Sequence, residues 1–289
     1  ENTVDGKFFV TARGWEDLSE ILKSYEELQV EIGEELIGEF LQKEEIARDF
    51  AGYYRLYEKY KSDYQIQEIL DGNVTTGQLK TCCDMGKKAS FEERFTVTEM
   101  LLEAVTERIS VFQKTDEKIE KLYENLKFLK IFLQEKNSVE AMEQFVASRR
   151  KALDAKICSE LLTAEEAARE EEQIRILEEY FFQLKELHIS DVAEGIEQIG
   201  ERFGNVCRLR NEKLKETKKM LEQAFSFLEE CFGEGQELLL FETGLTGDDR
   251  CSIFISQYGC PSYFKHCELL LYSKKENEMR KECRDLLEE

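Results

Sequence analysis

Hydrophobic residues recur every three or four positions through most of this chain, which is the spacing of one face of an α-helix. In the first sixty residues the pattern occurs three times. The positions are Leu18, Ile21, Leu22 and Tyr25, then Ile32, Leu36, Ile37, Phe40 and Leu41, then Ile46, Phe50, Tyr53, Tyr54 and Tyr57. The pattern predicts three amphipathic helices, each packed through one face.

The long middle of the chain carries stripes with near-heptad spacing. They consist of Ile119, Leu122, Leu126, Leu129 and Leu133, then Ile174, Leu177, Phe181 and Leu184, then Val192, Ile196, Ile199, Phe203 and Val206. Each stripe lasts about two heptads, fewer than the three or four typical of a sustained coiled coil. We therefore predict long antiparallel helices packed as a bundle or helical hairpin. The stripes do not repeat at a fixed period, which disfavours a solenoid.

The periodicity lapses between residues 71 and 88. Gly72, Gly77 and Gly86 punctuate a polar stretch there, which predicts a connection and a possible domain boundary. Beyond it, Ser90 with Glu93 and Thr163 with Glu166 have the spacing of capping boxes, which mark helix starts.

Three glycines, Gly195, Gly200 and Gly204, lie inside the third stripe. A glycine within a helix costs about 1 kcal/mol relative to alanine. A close helix crossing or a kink would account for them, and the spacing favours a crossing.

Composition supports an all-α fold. The chain has a single proline, Pro261, among 289 residues, and 35% of its residues are charged. Little interrupts helices or forms hairpin turns, so we expect no sheet beyond a short strand near Phe8 to Thr11. The length suits one large or two modest domains.

The charge is strongly acidic, with 62 Asp and Glu against 40 Lys and Arg and a net charge of -22. Such a surface repels nucleic acid and anionic membranes, and no apolar run is long enough to cross a bilayer. An acidic run from Glu165 to Glu172 could attract a basic client, although a solvated helix face is the simpler interpretation.

Nine cysteines, an odd number without short repeated spacing, favour free thiols in a reducing cytoplasm. Near the C-terminus, Cys251, Cys260, His266 and Cys267 gather beside the proline. They lack the ligand spacing of a zinc knuckle, so we predict no metal site. A Cys–His nucleophile using His266 stays open as a third hypothesis. No Glu-x-x-His pair supports a di-iron bundle.

The tyrosine-rich run of the third helix has two interpretations. Its members are Tyr53, Tyr54, Tyr57, Tyr60 and Tyr64. Tyrosines at such intervals form either a binding surface or, more commonly, a packing seam whose hydroxyls reach water.

The stretch Thr11 to Ser19 places Arg13 at the start of the first amphipathic helix. A guanidinium is permanently charged and offers a planar fork of donors to phosphate oxygens. The alternative is a surface role, in which Arg13 stacks on Trp15 or pairs with Glu16 or Asp17.

This stretch resembles the second half of the lid subdomain in MoxR-like AAA+ ATPases, and the resemblance continues through Val30 to Tyr60. It implies that Arg13 is the sensor 2 arginine. It also implies a lid-like subdomain over residues 1–61 and a helical C-terminal extension over 62–289. The segment Phe254 to His266 resembles a C-terminal signature of MoxR-like ATPases of anaerobic Firmicutes, where the aromatic residues pack the last helices together.

A nucleotide hydrolase of this type needs a G-x-x-x-x-G-K-S/T loop after a buried strand. The nearest stretch, Asp84 to Ser90, has one glycine and the wrong spacing. The chain also begins at Glu1 without a methionine, so we expect a C-terminal fragment that is not catalytic alone, with ATP and Mg²⁺ bound by an upstream core.

The resemblance implies a chaperone-like remodelling role, protein clients or partner subunits, and a hexameric ring in the full-length parent. A monomeric fragment is compatible with this. The competing hypothesis is a free-standing acidic helical scaffold that binds a protein and never contacts nucleotide.

Overall fold

The structure, a computed structural model, describes residues 2–3, 6–7, 10–133 and 137–271. Within these ranges the protein is all-α, as predicted. The only strands described, β1 (Asn2–Thr3) and β2 (Gly6–Lys7), pair antiparallel. The predicted strand near Phe8 to Thr11 is not found at residues 10 and 11, which are irregular; residues 8 and 9 lie outside the described part of the chain.

Twelve helices occur in the described residues. They are α1 (Ala12–Glu27), α2 (Glu34–Leu41), α3 (Glu44–Tyr64), α4 (Ile66–Asp71), α5 (Thr76–Gly86), α6 (Phe91–Phe132), α7 (Ser138–Cys158), α8 (Ala164–Glu186), α9 (Val192–Phe232), α10 (Gln236–Gly247), α11 (Asp249–Tyr258) and α12 (Pro261–Leu271). The three predicted stripes lie in α6, α8 and α9. Helices α6 and α9 have 42 and 41 residues, so each is about 60 Å long at 1.5 Å per residue.

By its internal contacts the chain divides into two compact units. Unit 1 comprises Glu1–Ala104 and Gln223–Thr243, and unit 2 comprises Val105–Glu222 and Gly244–Glu289. The predicted limit of a lid-like subdomain at residue 61 falls inside α3. The lid assignment itself stays a prediction.

The first core of unit 1 is formed by α1, α2 and α3. Its buried members are Leu18, Ile37, Leu41, Ala47 and Ala51. Five further positions of the predicted pattern pack against them, namely Leu22, Ile32, Phe40, Ile46 and Phe50. The three predicted helices are therefore confirmed, with their apolar faces turned toward one another.

Helix ends in this proline-poor chain use left-handed residues. The caps of α2 and α3 are Gln42, with φ of 53°, and Gln65, with φ of 51°. Gly72 ends α4 with φ of 69°. A left-handed cap lets its backbone N–H reach a carbonyl of the last turn, which closes the helix without proline.

The structure corrects the polar connection predicted within residues 71–88. Residues 76–86 form helix α5, which begins at a capping box between Thr75 and Gln78. Its buried residues are Cys82, Cys83 and Gly86. A search for large apolar residues at helical spacing misses a helix that packs through such small ones.

In unit 2, the three predicted stripes meet in one core. Leu122, Leu129, Ile174, Leu177 and Ile199 are among its buried members. The ion pairs Lys156–Glu170 and Arg150–Glu178 join α7 and α8 in antiparallel order. Antiparallel packing within the chain is thus confirmed.

Both predicted caps mark helix starts. At α8, Thr163 and Glu166 make the full capping box. At α6, Ser90 Oγ accepts from the Glu93 N–H at 3.2 Å, whereas Glu93 Oε1 accepts from the Tyr64 hydroxyl at 2.8 Å.

The crossing predicted at the α9 glycines is confirmed at Gly195 alone. A Cβ built there would lie 2.5 Å from the Ser138 Cβ. Ser138 is buried, and its hydroxyl donates to the Ile189 carbonyl at 2.6 Å. Around Gly200 and Gly204 a Cβ would meet nothing within 4 Å, so the prediction is wrong for those two positions.

Candidate functional site

Arg13 is the second residue of α1, in a first turn closed by Thr11. The Thr11 hydroxyl accepts from the Gly14 N–H at 3.0 Å, which is the bond that preferred N-caps make. The helix start predicted from the sequence is therefore confirmed. It presents the Arg13 side chain to solvent with 87% of its surface exposed.

The surface contact expected for Arg13 is found in part. Its Nε lies 3.8 Å from Asp17 Oδ2, one turn along the helix. Trp15 instead packs edge-on against Phe50, with ring centroids 5.2 Å apart. An exposed pair one turn apart contributes little free energy, so Asp17 does not hold the guanidinium away from an anionic ligand.

The tyrosine run of α3 is a packing seam at its C-terminal end. Tyr60 and Tyr64 are buried. Three of the hydroxyls also bond within the protein, since Tyr54, Tyr57 and Tyr64 donate to Glu26, Glu103 and Glu93. Burial, and then the bond to the carboxylate, raises the pKa of Tyr64. These tyrosines stay protonated at neutral pH and act as donors.

The C-terminal thiols are buried and hydrogen-bonded. Cys260 Sγ donates to Glu222 Oε1 at 3.2 Å, and Cys251 Sγ donates to Thr106 Oγ1 at 3.5 Å. Burial raises the pKa of Cys260 to about 12 and that of Cys251 to about 11. A nucleophile must be a thiolate, so both sulfurs are poor candidates for the Cys–His enzyme. His266 is buried as well, and the side chain of Cys267 lies outside the described residues.

Two further cysteines correct the expectation of free thiols throughout. Cys83 and Cys231 form a disulfide, 148 residues apart in sequence. Their separation leaves no local spacing from which the pair could be predicted.

Sequence reasoning also missed a polar cluster in unit 2. Arg210 donates twice to Asp116, from Nε to Oδ1 at 2.7 Å and from Nη2 to Oδ2 at 2.9 Å. The Tyr258 hydroxyl donates to Asp116 Oδ2 at 2.9 Å and accepts from Arg210 Nη2 at 2.7 Å. These residues come from α6, α9 and α11, so no local spacing could have revealed them.

This cluster is self-contained. The Arg210 hydrogen bonds hold the pKa of Asp116 below its ordinary value of 3.8, although burial opposes them. The guanidinium also lies over the rings of Phe112 and Tyr258, at 5.6 and 5.5 Å from their centroids. Phe254 packs on Phe112 at 5.6 Å, in line with the packing role expected for the terminal aromatics. A bidentate pair with both partners satisfied fixes helices and leaves little hydrogen-bonding capacity for a substrate.

The acidic run of α8 is turned toward cations of its own unit. Glu170 pairs with Lys156, Glu171 with Arg150 at 3.1 Å, and Glu172 with Lys118 at 2.9 Å. The run therefore joins neighbouring helices as well as facing solvent.

A shallow apolar groove of about 300 Å³ lies in unit 1, along the first turns of α6 and α10. Phe91, Phe95 and Leu239 line it and are substantially exposed, Phe91 by 55%. Glu237 also lines it; this residue is buried and pairs with Arg94 Nε at 3.2 Å. Exposed aromatic side chains gathered in a groove are typical of protein-binding surfaces.

Two further findings concern the part of the chain that the structure describes. No group of three or more His, Cys, Asp or Glu side chains is placed to hold a metal ion there. In the same residues, no helix combines the length and the apolar character that crossing a membrane requires.

None of the protein families, curated proteins and solved structures compared with this chain matches it. The MoxR-like resemblance of the sequence around Arg13 therefore stays a prediction.

Proposed function

We propose that this chain is the lid half and helical extension of a MoxR-like AAA+ ATPase with a chaperone-like remodelling role. Arg13 is its sensor 2 arginine and reads the phosphates of ATP, which a core outside this chain holds with Mg²⁺. The chain performs no catalysis alone. The remainder of unit 1 and unit 2 serve as a helical protein-interaction region.

The observation that carries this proposal is the mounting of Arg13. A capped helix start fixes the backbone at Arg13, while its side chain extends into solvent with a weak contact to Asp17. A sensor must be positioned by the backbone and yet remain free to move its charge onto a phosphate. Arg210, which is partly buried and bonded twice to Asp116, has no such freedom.

The identification of Arg13 as a sensor 2 arginine also leads us to propose a location, an assembly and a class of client for the parent protein. A parent of this class works in the cytoplasm as a hexameric ring and acts on protein clients or partner subunits. The net charge of -22 speaks against nucleic acid or an anionic membrane as the client.

Two observations test the proposal. The coding sequence upstream of Glu1 should encode a P-loop, and an initiation codon there in its place would remove the ATPase hypothesis. Calorimetric titration of the isolated chain with Mg-ATP should show no micromolar binding, because one exposed guanidinium cannot replace a phosphate-cradling loop. Micromolar affinity for the chain alone would contradict the assignment.

The second candidate function is a free-standing acidic scaffold, and the apolar groove of unit 1 favours it. Glu92 and Glu99 are exposed on the same helix as Phe91 and Phe95. An occupant must therefore offer an apolar face with basic flanks, as a cationic amphipathic helix does.

A designed helical peptide of leucine and lysine, with leucines at positions i, i+3, i+4 and i+7, serves as the probe for that groove. By fluorescence anisotropy, Phe95→Ser should weaken its binding by about tenfold or more, since a hot-spot aromatic contributes 1–2 kcal/mol or more. Phe182→Ser, which changes an exposed phenylalanine of unit 2, is the control. Equal affinity of the peptide for the unmodified protein and for both variants would remove the groove as a docking site.

A further inference from the structure

Helix α5 is tied to α9 within unit 1 by a disulfide. Cys83, near the C-terminal end of α5, is bonded to Cys231, in the last turn of α9. Both residues are buried, with 6% and 2% of their surfaces exposed. The bond therefore joins covalently two helices whose cysteines are 148 residues apart in sequence.

Apart from this bond, α5 is packed lightly. Its buried residues are Cys82, Cys83 and Gly86, and most of its other side chains are exposed. At Gly86 the backbone lies against the Phe232 ring, where an added Cβ would be 2.8 Å from Cε1. Three small residues bury little apolar surface. A helix of eleven residues is also below the length of about 12–15 residues at which isolated helices become marginally stable.

We propose that the Cys83–Cys231 disulfide is a redox-operated switch that holds α5 in place when oxidised and releases it when reduced. The proposal goes beyond the nucleotide role of Arg13 and does not depend on it. In the closed state, burial shields the disulfide from thiols in solution; local opening of α5 exposes it to them.

The chemistry is thiol–disulfide exchange with a small thiol such as glutathione. Its thiolate attacks the Cys83 sulfur, the S–S bond breaks, and the Cys231 sulfur leaves as a thiolate and takes a proton. A second small thiolate attacks the mixed disulfide at the small-molecule sulfur, which releases Cys83 as a thiolate that is then protonated and yields the oxidised small disulfide. The protein gains two thiols and the small molecules lose two electrons. A small disulfide reverses both steps.

The neighbouring thiol, Cys82, serves as a control for the role of the disulfide. Cys82 is buried beside Cys83, and its Sγ donates weakly to the carbonyls of Asp63 and Tyr64, each at 3.8 Å. Burial raises the pKa of Cys82. Since exchange requires a thiolate, Cys82 does not compete for the bond and should leave the switch intact when replaced.

Amide hydrogen exchange of the whole chain, followed by mass spectrometry, tests the switch. The protein is equilibrated with oxidised or with reduced glutathione, and alkylation with mass analysis confirms the state of the pair. Reduction should accelerate exchange across residues 76–86 by about tenfold or more, because exchange reports local opening. Residues 47–51 of α3, in the core with Leu18, should show no change.

Matched variants separate the bond from its surroundings. Cys82→Ser should respond to reduction as the unmodified protein does. Cys83→Ser and Cys231→Ser should exchange rapidly across α5 in both buffers. Unchanged exchange across α5 after complete reduction would overturn the proposal, and so would failure of the pair to form in oxidised glutathione. The comparison of the unmodified protein in two buffers stands even if a variant does not fold.

Discussion

At the scale of single residues, the polar side chains of the unit 2 cluster bond to one another, whereas the Arg13 side chain extends into solvent. The start of α1 could be predicted because Thr11 and the apolar positions that follow are neighbours in sequence. Asp116, Arg210 and Tyr258 could not, since they meet only when three helices pack. Burial keeps the Cys260 thiol protonated, and because burial depends on the fold, the sequence alone does not predict it.

Replacing Asp116 with asparagine tests the polar cluster of unit 2. The Asp116 and Arg210 side chains are 28% and 22% exposed, so their paired charges are largely removed from water. Asp116→Asn should lower the free energy of unfolding by about 1–3 kcal/mol, because Arg210 loses a charged bidentate acceptor. Urea unfolding measures this. Arg13→Ala, which removes an exposed pair, is the control and should change it by less than about 0.5 kcal/mol. Equal effects would contradict the account of the cluster.

The same pair predicts a dependence on acid. The pKa of Asp116 lies below its ordinary value of 3.8, so its folded form binds a proton less readily than the unfolded chain does. Its contribution is present above the unfolded pKa, about 4, and is lost as the pH falls through the lower folded pKa. The stability difference between the unmodified protein and Asp116→Asn should therefore shrink between pH 5 and pH 2. A difference that is constant across that range would show that the carboxylate charge is not involved.

At the scale of elements, helical periodicity predicts α1, α2, α3, α6, α8 and α9, which pack through large side chains. It does not predict α5, which packs through small ones, nor α7, although α7 buries Phe145 and Leu153. The stripes of α6, α8 and α9 are long, and each buries leucine or isoleucine, so spacing alone predicts them. Helix α5 buries cysteines and a glycine and looks like a polar connection. Sequence also does not distinguish the glycines of α9 from one another: Gly195 lies against Ser138, whereas Gly200 and Gly204 have open space around them.

Two alanine substitutions on α9 distinguish its crossing point from its open surface. Gly195→Ala would place a methyl group 2.5 Å from the Ser138 Cβ, and the crowding should destabilise the protein by about 1–3 kcal/mol. Gly200→Ala meets nothing within 4 Å and should stabilise it by about 0.5–1 kcal/mol through helix propensity. Chemical unfolding of both variants measures the signs. If both changes stabilise, α9 does not approach Ser138 closely.

At the scale of the whole molecule, the all-α class follows from scarce proline and abundant helical spacing, and the structure agrees. The grouping of residues into units could not be predicted. Residues 223–243 belong with the N-terminal unit although they lie between the two segments of unit 2 in sequence. Such grouping depends on contacts between distant segments, which periodicity does not encode. A helical scaffold of this kind has many possible uses, so the proposed function rests on Arg13.

The most direct measurement is ATP hydrolysis by the longer protein that the proposal implies, with Arg13 replaced. Arg13→Ala should slow hydrolysis by about 10- to 1000-fold, because an arginine that stabilises developing phosphate charge acts on that scale. Arg13→Lys should restore only part of the rate, since a point charge replaces a planar fork. Arg48→Ala, which removes an exposed arginine paired with Glu34 at 3.3 Å, is the control and should hydrolyse ATP normally. Unimpaired hydrolysis by Arg13→Ala, with melting unchanged, would show that Arg13 is a surface residue and would contradict the account.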